Sequence, residues 1–222
     1  IDIHSHADMN LLVNRNAESR IRQGVTLEIV GQDGGSIGPW SDAQFESNRD
    51  SWRRRGVEID FRDPAGFVEH ITREEPAVNV ASMVGNGALR GVVIGNEDRP
   101  ATSAEIERMQ DILQGLIERG CVGLSSGLEY TPSGFADAAE LLALASVLVG
   151  TGLPYASHMR NEDDRLLGAV EEALHIGRVA GVPVQISHLK AQGQRNYWKA
   201  DAALDLIQRA SDDGVDVHFD RY

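Results

Sequence analysis

Short apolar runs rich in β-branched residues recur along the chain, and helical patterns separate most of them. The runs predict seven strands: "IDIHSH" from Ile1, "VTLEIVG" from Val25, "AVNVASMVG" from Ala77, "GCVGLSSG" from Gly120, "LPYASH" from Leu153, "VPVQISH" from Val182 and "VDVHFD" from Val215. Helices are predicted between most of them, and the longest is expected to begin with Ser103 as its N-cap. This alternation predicts a parallel α/β sheet.

An open doubly wound sheet and a barrel both fit the alternation. Polar side chains concentrate where the predicted strands end, at His6, Asp33, Glu129, His158, His188 and Asp220. A (β/α)8 barrel builds its site from that rim, so the predicted fold is a TIM-type barrel truncated to about its first seven strands. Residues 1–222 are interpreted as one incomplete catalytic barrel domain, and residues 34–63 as a long excursion over the site.

Charge and composition restrict the partners. The net charge of −13 and the pI of about 4.9 argue against nucleic acid or an anionic membrane as a partner. No apolar run approaches the roughly 20 residues of a membrane span. Cys121 is the only cysteine, which excludes an intramolecular disulfide and favours a reducing, cytoplasmic location. Both ends look cut, because each lies in or just after a predicted strand.

Four histidines carry the most specific chemical signal. His4 and His6 lie in the first predicted strand, and His158 and His188 end the fifth and sixth. Residues two apart in a strand share a face, so His4 and His6 would project together. A lone histidine is more often a core residue with a satisfied hydrogen bond, but four on one rim predict a metal site.

At this point the chain resembles a known family. The HxH pair with single histidines ending the fifth and sixth strands is similar to the amidohydrolase superfamily. The stretches "QGVTLEIVGQDG", "GLSSGLEYTP", "SHMRNE", "QISHLKAQG" and "FDRY" resemble the N-acyl-D-amino-acid deacylases, or D-aminoacylases. The resemblance implies one or two divalent metal ions, usually zinc, and hydrolysis of the amide of a small N-acyl-D-amino acid. It also implies a smaller β-domain built from segments outside the barrel, which this chain does not contain.

The resemblance implies roles for six metal-site residues and shows one joint departure. His4 and His6 match the ligands of the more buried metal, and His158 and His188 match those of the second. The turn "GQDG" places Asp33 where better-known relatives have a cysteine ligand in "GNCG", and Glu129 in "GLEY" adds an acid that they lack. We therefore expect Glu129 to bridge two metals at ordinary Zn–O distances, with Asp33 as an acceptor behind a ligand imidazole or as an alternative ligand.

Both carboxylates also have plainer interpretations. A solvated turn acid is the less favoured interpretation of Glu129, whereas Asp33 is equally well explained as a turn residue, because Asp-Gly is a common turn pair.

The resemblance further implies how substrate is held. Lys190 and Tyr222 match the positions that bind the substrate carboxylate, and Arg160 follows His158 on the same rim. The aspartate that moves the proton in this superfamily lies on the eighth strand. The chain stops before that strand, so no catalytic residue is assigned within it, and the isolated 222 residues are expected to be inactive.

Other functions stay open at this stage. A cyclic-amide hydrolase of the dihydroorotase or hydantoinase kind shares the metal chemistry, and a non-catalytic fragment remains an alternative. A serine hydrolase is disfavoured, because no G-x-S-x-G element surrounds Ser125 and Ser126. The unpaired strand edges of a seven-stranded fragment would favour association between copies. The acyl group and the amino-acid side chain are not determined by the sequence.

Overall fold

The structure is a computed structural model that describes all 222 residues. It contains seven strands: β1 (Leu27–Val30), β2 (Asn79–Ser82), β3 (Val84–Gly85), β4 (Leu124–Gly127), β5 (Tyr155–His158), β6 (Val184–Ile186) and β7 (Val217–Phe219). It contains nine α-helices: α1 (Asp8–Val13), α2 (Glu18–Ile21), α3 (Asp42–Arg53), α4 (Pro64–Arg73), α5 (Asn86–Val93), α6 (Ser103–Glu118), α7 (Ala138–Ala145), α8 (Leu166–Ala180) and α9 (Lys199–Asp212).

Every paired strand runs parallel to its neighbour, in chain order. β1 pairs with β2, and β3 to β7 form a second sheet of five strands. Only Met83 separates β2 from β3; its N–H donates to Val30 O at 2.9 Å, while the N–H of Val84 turns to Gly123 O. One predicted strand therefore links both sheets, and the predicted parallel α/β architecture is confirmed.

The strands curl without closing. His4, which precedes β1, lies 3.3 Å from Asp220, which follows β7. No backbone hydrogen bond joins the first residues of the chain to β7. The 222 residues therefore form an open, curved α/β structure and no closed barrel.

The prediction of a strand in the first apolar run is wrong. Residues "IDIHSH" form a single bridge between Asp2 and Glu28, not a strand. The Asp2 carboxylate accepts the backbone N–H of His4 at 3.2 Å, and the chain reaches β1 again only where the N–H of Ser5 donates to Ile29 O. A local side-chain acceptor has replaced a ladder hydrogen bond, as Asp commonly does.

Three helices lie where none was predicted: α1, α3 and α5. α3 lies within the predicted excursion and starts with a capping box between Ser41 and Gln44. The N-cap of α6 is Thr102, with Glu105 completing its capping box, so the prediction of Ser103 was one residue late.

Apolar side chains from the helices cover the outer face of the sheet. The central core cluster joins β3 to β5 with α5, α6 and α7, and includes Leu89, Leu113 and Leu141. Within this layer Arg90 and Glu140 form a fully buried ion pair. No helix combines the length and the apolar character needed to cross a bilayer. The carboxyl ends of the strands are left free to carry polar side chains.

Candidate metal centre

Asp33 lies in a turn held tightly against the sheet. It follows β1 with a φ of 54°, a left-handed conformation that Asp tolerates better than most residues. A Cβ on Gly127 would collide with the carbonyl of Asp33, so the end of β4 must be glycine for the turn to pack there. The hydroxyl of Ser125 donates to Gly31 O at 2.6 Å and accepts from the N–H of Gly34 at 3.1 Å. Buried contacts thus fix the direction of the Asp33 side chain.

The His4–His6 segment is fastened to β1 by side chains. The hydroxyl of Ser5 donates to the buried Glu28 carboxylate at 2.6 Å, and Arg20 pairs with the other oxygen of Glu28. The amide of Gln32 donates to the carbonyl of Ile3 at 2.8 Å. These contacts hold both imidazoles toward Asp33 although the segment is not a strand.

The second histidine pair comes from neighbouring strands. His158 is the last residue of β5, and His188 follows β6 with a φ of 38°. That conformation is unusual for histidine. The carboxylate of Asp220 accepts the backbone N–H of His188 at 2.6 Å, which stabilises the turn. His158 Nδ1 and His188 Nε2 consequently lie 2.8 Å apart.

All four predicted histidines surround one carboxylate. Asp33 Oδ2 lies 3.2 Å from His6 Nε2 and 3.4 Å from His4 Nε2. The same oxygen lies 3.7 Å from His158 Nδ1 and 3.6 Å from His188 Nε2. The structure therefore brings the two histidine pairs together around Asp33.

The cluster suits metal ions better than internal hydrogen bonds. Two sets of three donors meet at Asp33, one with His4 and His6 and one with His158 and His188. Asp33 Oδ1 and His158 Nε2 are buried and lack a hydrogen-bond partner. Buried polar atoms are normally satisfied, so these two unpartnered ligand atoms indicate a missing partner. Imidazole and carboxylate are both ordinary zinc ligands.

Charge within the cluster shifts the pKa of several groups. Burial acts to lower the pKa of His4, but the carboxylates of Asp220 and Asp33 outweigh it and raise the pKa to about 9. At His188, burial also acts to lower the pKa, but the carboxylates of Asp33 and Glu162 raise it to about 9. Burial acts to raise the pKa of Asp33, yet the surrounding histidines hold it far below its usual range. The metal-free centre therefore holds protons where metal ions would bind.

Glu129 lies at the margin of the centre. Its Oε2 is 3.5 Å from His158 Nε2, and its side chain is 33% exposed. With His158 and Glu162 it forms a third group of donors, which includes neither His4 nor His6. The ring of Tyr130, next in sequence, packs on His158 with centroids 4.6 Å apart. Glu129 is thus beside one histidine, whereas Asp33 is beside four.

Lys190 and Tyr222 meet beyond His188. The Lys190 ammonium lies 3.1 Å from His188 Nδ1 and pairs with the buried Glu162. It also lies 5.5 Å from the centre of the Tyr222 ring. Arg160 does not reach this group, because its guanidinium pairs with Glu172 and donates to carbonyls after β4.

Sequence reasoning gave two contributors too little weight. Glu162 Oε1 lies 2.7 Å from His188 Nδ1, and Asp220 contacts both His4 and His188. A carboxylate behind a ligand imidazole orients the ring. The acid four residues after His158 in "SHMRNE" was the available signal for Glu162. Ser125 and Ser126 are fully buried and hydrogen-bonded within the sheet, which agrees with rejecting a serine nucleophile.

A curved parallel sheet with histidines and carboxylates gathered at its carboxyl ends defines a metal-binding α/β protein. Over its whole length the chain is homologous to the N-acyl-D-amino-acid deacylases, which confirms the resemblance found in the sequence. It is 36% identical over 222 residues to a D-aminoacylase and 35% identical over 223 residues to an N-acyl-D-glutamate deacylase, both from Alcaligenes xylosoxydans xylosoxydans. No protein-family model matches the chain.

A solved structure agrees with these relatives. The crystal structure of N-acyl-D-glutamate deacylase from Bordetella bronchiseptica, complexed with zinc and a phosphonate that mimics the tetrahedral intermediate, matches all of this chain with a TM-score of 0.88 and 34% identity. The chain covers 46% of that structure and 46% and 45% of the two curated relatives. It therefore corresponds to slightly less than half of each.

Proposed function

We propose that this chain is the metal-binding part of a zinc-dependent hydrolase that cleaves the amide bond of N-acyl-D-amino acids. The observation that carries the proposal is the position of Asp33 between two histidine pairs, with buried ligand atoms left unpartnered. The names of the relatives support the reaction and the D configuration. The high net negative charge is consistent with a small-molecule substrate rather than nucleic acid.

Two metal positions follow from the donor sets. His4, His6 and Asp33 would hold one divalent ion, and Asp33, His158 and His188 would hold the other. Asp33 would be the shared ligand, with Glu129 as an additional ligand on the His158 side. When bound, zinc would polarise the scissile carbonyl and lower the pKa of water. Asp220 and Glu162 would keep the imidazoles of His4 and His188 in their liganding orientation.

Substrate would be anchored beside the metals by its carboxylate. Lys190 supplies a cation and Tyr222 a hydroxyl on the far side of His188. Charge-assisted hydrogen bonds to a carboxylate are worth roughly 1.5–3 kcal/mol, so this pair would select free N-acyl amino acids. Lys190 must then exchange part of its pairing with Glu162 for the substrate.

The fold and the extent of the chain complete the proposal. We propose that residues 1–222 supply seven strands of a (β/α)8 barrel, supported by the chain-order pairing and the curl that brings His4 to Asp220. The acid that transfers the proton would come from an eighth strand, so the 222 residues alone would bind metal without turnover. Their edges would favour association between copies. A cytoplasmic location is part of the proposal, on the basis of the single buried cysteine.

Metal analysis and a substrate screen test the proposal. Purified protein should contain zinc, and the protein extended to the length of its relatives should hydrolyse N-acetyl-D-amino acids faster than their L enantiomers. A preference for a hydantoin or dihydropyrimidine would support the cyclic-amide alternative. Absence of bound zinc after zinc is supplied would refute the metal site and leave the non-catalytic alternative.

A further inference from the structure

A cavity of about 570 Å³ opens beside the metal centre on the side of Asp33. His6 and Asp33 form one wall, and Trp40 and Tyr130 form others. Its volume lies within the roughly 300–1,000 Å³ typical of small-molecule sites. The proposed carboxylate anchor does not use it, because neither Lys190 nor Tyr222 lines it.

The position of the cavity relative to the anchor gives it a role. The His188 ring stands between the two: Nδ1 faces Lys190 at 3.1 Å, whereas Nε2 faces Asp33 at 3.6 Å. In an N-acyl amino acid the carboxylate and the acyl chain lie on opposite sides of the amide. With the carboxylate at Lys190 and the amide at the histidines, the acyl chain points past Asp33 into the cavity.

The walls define the kind of acyl chain that fits. No lysine or arginine lines the cavity. Pro39, Trp40 and Tyr130 contribute apolar surface, and Gln44 contributes a neutral polar group. Glycines on the wall add no side chains, which leaves the space open. An anionic acyl group would find no cationic side chain on these walls to offset its lost hydration.

We infer that this cavity is the acyl subsite and that it takes an uncharged acyl chain longer than acetyl. The inference rests on the proposed function, since it assumes that substrate lies across the two histidine pairs. It assigns an acyl-group preference that the sequence left undetermined. The acyl chain would be selected on one side of the metal centre, and the amino acid would be recognised on the other.

Gly91 allows the cavity to be narrowed without disturbing its walls. Gly91 lies in α5 and lines the cavity, and a Cβ there would meet only Gln44 Nε2, at 3.9 Å. Gly91→Leu should therefore be accommodated and should project into the empty space. Gly168→Leu is the matched control, because Gly168 is an exposed helical glycine in α8 with nothing within 4 Å of its Cβ position.

The experiment compares N-acetyl, N-butyryl, N-hexanoyl and N-succinyl derivatives of one D-amino acid, using the protein extended to the length of its relatives. We expect kcat/KM to rise with chain length, by up to about fourfold per methylene, and to be lowest for succinyl. Gly91→Leu should lower the hexanoyl-to-acetyl ratio by about tenfold, whereas Gly168→Leu should keep the wild-type ratio.

The outcomes separate this inference from the proposed function. A flat or falling dependence on chain length, or the same ratio in Gly91→Leu and Gly168→Leu, would overturn the acyl subsite while leaving deacylation intact. If no derivative is hydrolysed, the proposed function fails. Calorimetry then measures binding of the same series to zinc-loaded protein. Affinity that increases with acyl chain length in the wild type but not in Gly91→Leu supports the acyl subsite, and affinity that is independent of chain length refutes the subsite.

Discussion

The carboxylate of Asp220 lies 3.3 Å from Nδ1 of His4, although 216 residues separate the two in the chain. The other carboxylate oxygen accepts the backbone N–H of His188 at 2.6 Å. One side chain after β7 therefore positions a histidine from each pair, and the geometry of the centre depends on the curl of the whole sheet.

Replacing Asp220 should loosen metal binding without removing a ligand. We expect Asp220→Ala to lower zinc affinity by about 10- to 100-fold, since the ring of His4 loses its partner and the turn at His188 loses its hydrogen bond. Competition with a zinc chelator measures this. Asp216→Ala is the control, because the Asp216 carboxylate is exposed and pairs with the exposed His218. Equal affinities for the two variants would contradict a positioning role.

The zinc content of variants distinguishes the roles of Asp33 and Glu129. Asp33→Ala should lose both zinc ions, because each donor set includes Asp33, whereas Glu129→Ala should keep the ion held by His4 and His6. Asp33→Cys should recover zinc, since thiolate is a strong zinc ligand. Elemental analysis of the three purified variants checks this. Loss of both ions in Glu129→Ala, with Asp33→Ala still loaded, would instead support Glu129 as the bridge, as expected from the resemblance in the sequence.

The packing of Gly127 against the Asp33 turn predicts a combined loss of stability and metal. Gly127→Ala would place a methyl group against the Asp33 carbonyl, and overpacking of this kind costs about 1–3 kcal/mol. The free energy of unfolding measured in urea and the zinc content should both fall. Gly115→Ala in α6, where the added methyl meets nothing within 4 Å, should be neutral or slightly stabilising. Wild-type zinc content in Gly127→Ala would show that the turn moves freely.

Zinc uptake should release protons. The raised pKa of about 9 for His4 and for His188 means that both carry a proton at neutral pH in the metal-free protein. A histidine binds zinc through its neutral imidazole, so zinc displaces these protons and its apparent affinity rises as pH increases toward 9. Calorimetry at pH 7 in buffers of different ionisation enthalpy should show release of about two protons. A binding enthalpy independent of the buffer would rule this out.

Breaking the buried pair of Arg90 and Glu140 should cost more stability than breaking an exposed ion pair. Both side chains are inaccessible to solvent. Glu140 also accepts a hydrogen bond from the amide nitrogen of Asn86, and the amide oxygen of Asn86 accepts one from the hydroxyl of Ser133 on the cavity wall. Glu140→Gln leaves the buried Arg90 guanidinium without an opposite charge, which costs about 3–5 kcal/mol. Glu58→Gln breaks an exposed pair with Arg53 and should cost about 0–1 kcal/mol. Similar unfolding free energies for the two variants would contradict this.

The sequence by itself determined β1, the strands from β4 to β7 and the two histidines at or just after strand ends, because apolar periodicity and glycine turns are local signals. It also selected the right family through short motifs. It could not determine the conformation of "IDIHSH", since alternating polarity is compatible with a strand and the Asp2–His4 contact is not visible in a pattern.

Only the tertiary structure decided which polar groups face each other. Arg160 and Glu162 lie two residues apart on the same rim, yet one turns to Glu172 and the other to His188. In the sequence, Asp33 and Glu129 are both candidates for the carboxylate shared by the metals. In the structure, a left-handed turn packed against the backbone of Gly127 directs Asp33 toward the four histidines. Side-chain direction at a rim depends on backbone dihedrals and on contacts from distant strands, which no local pattern encodes.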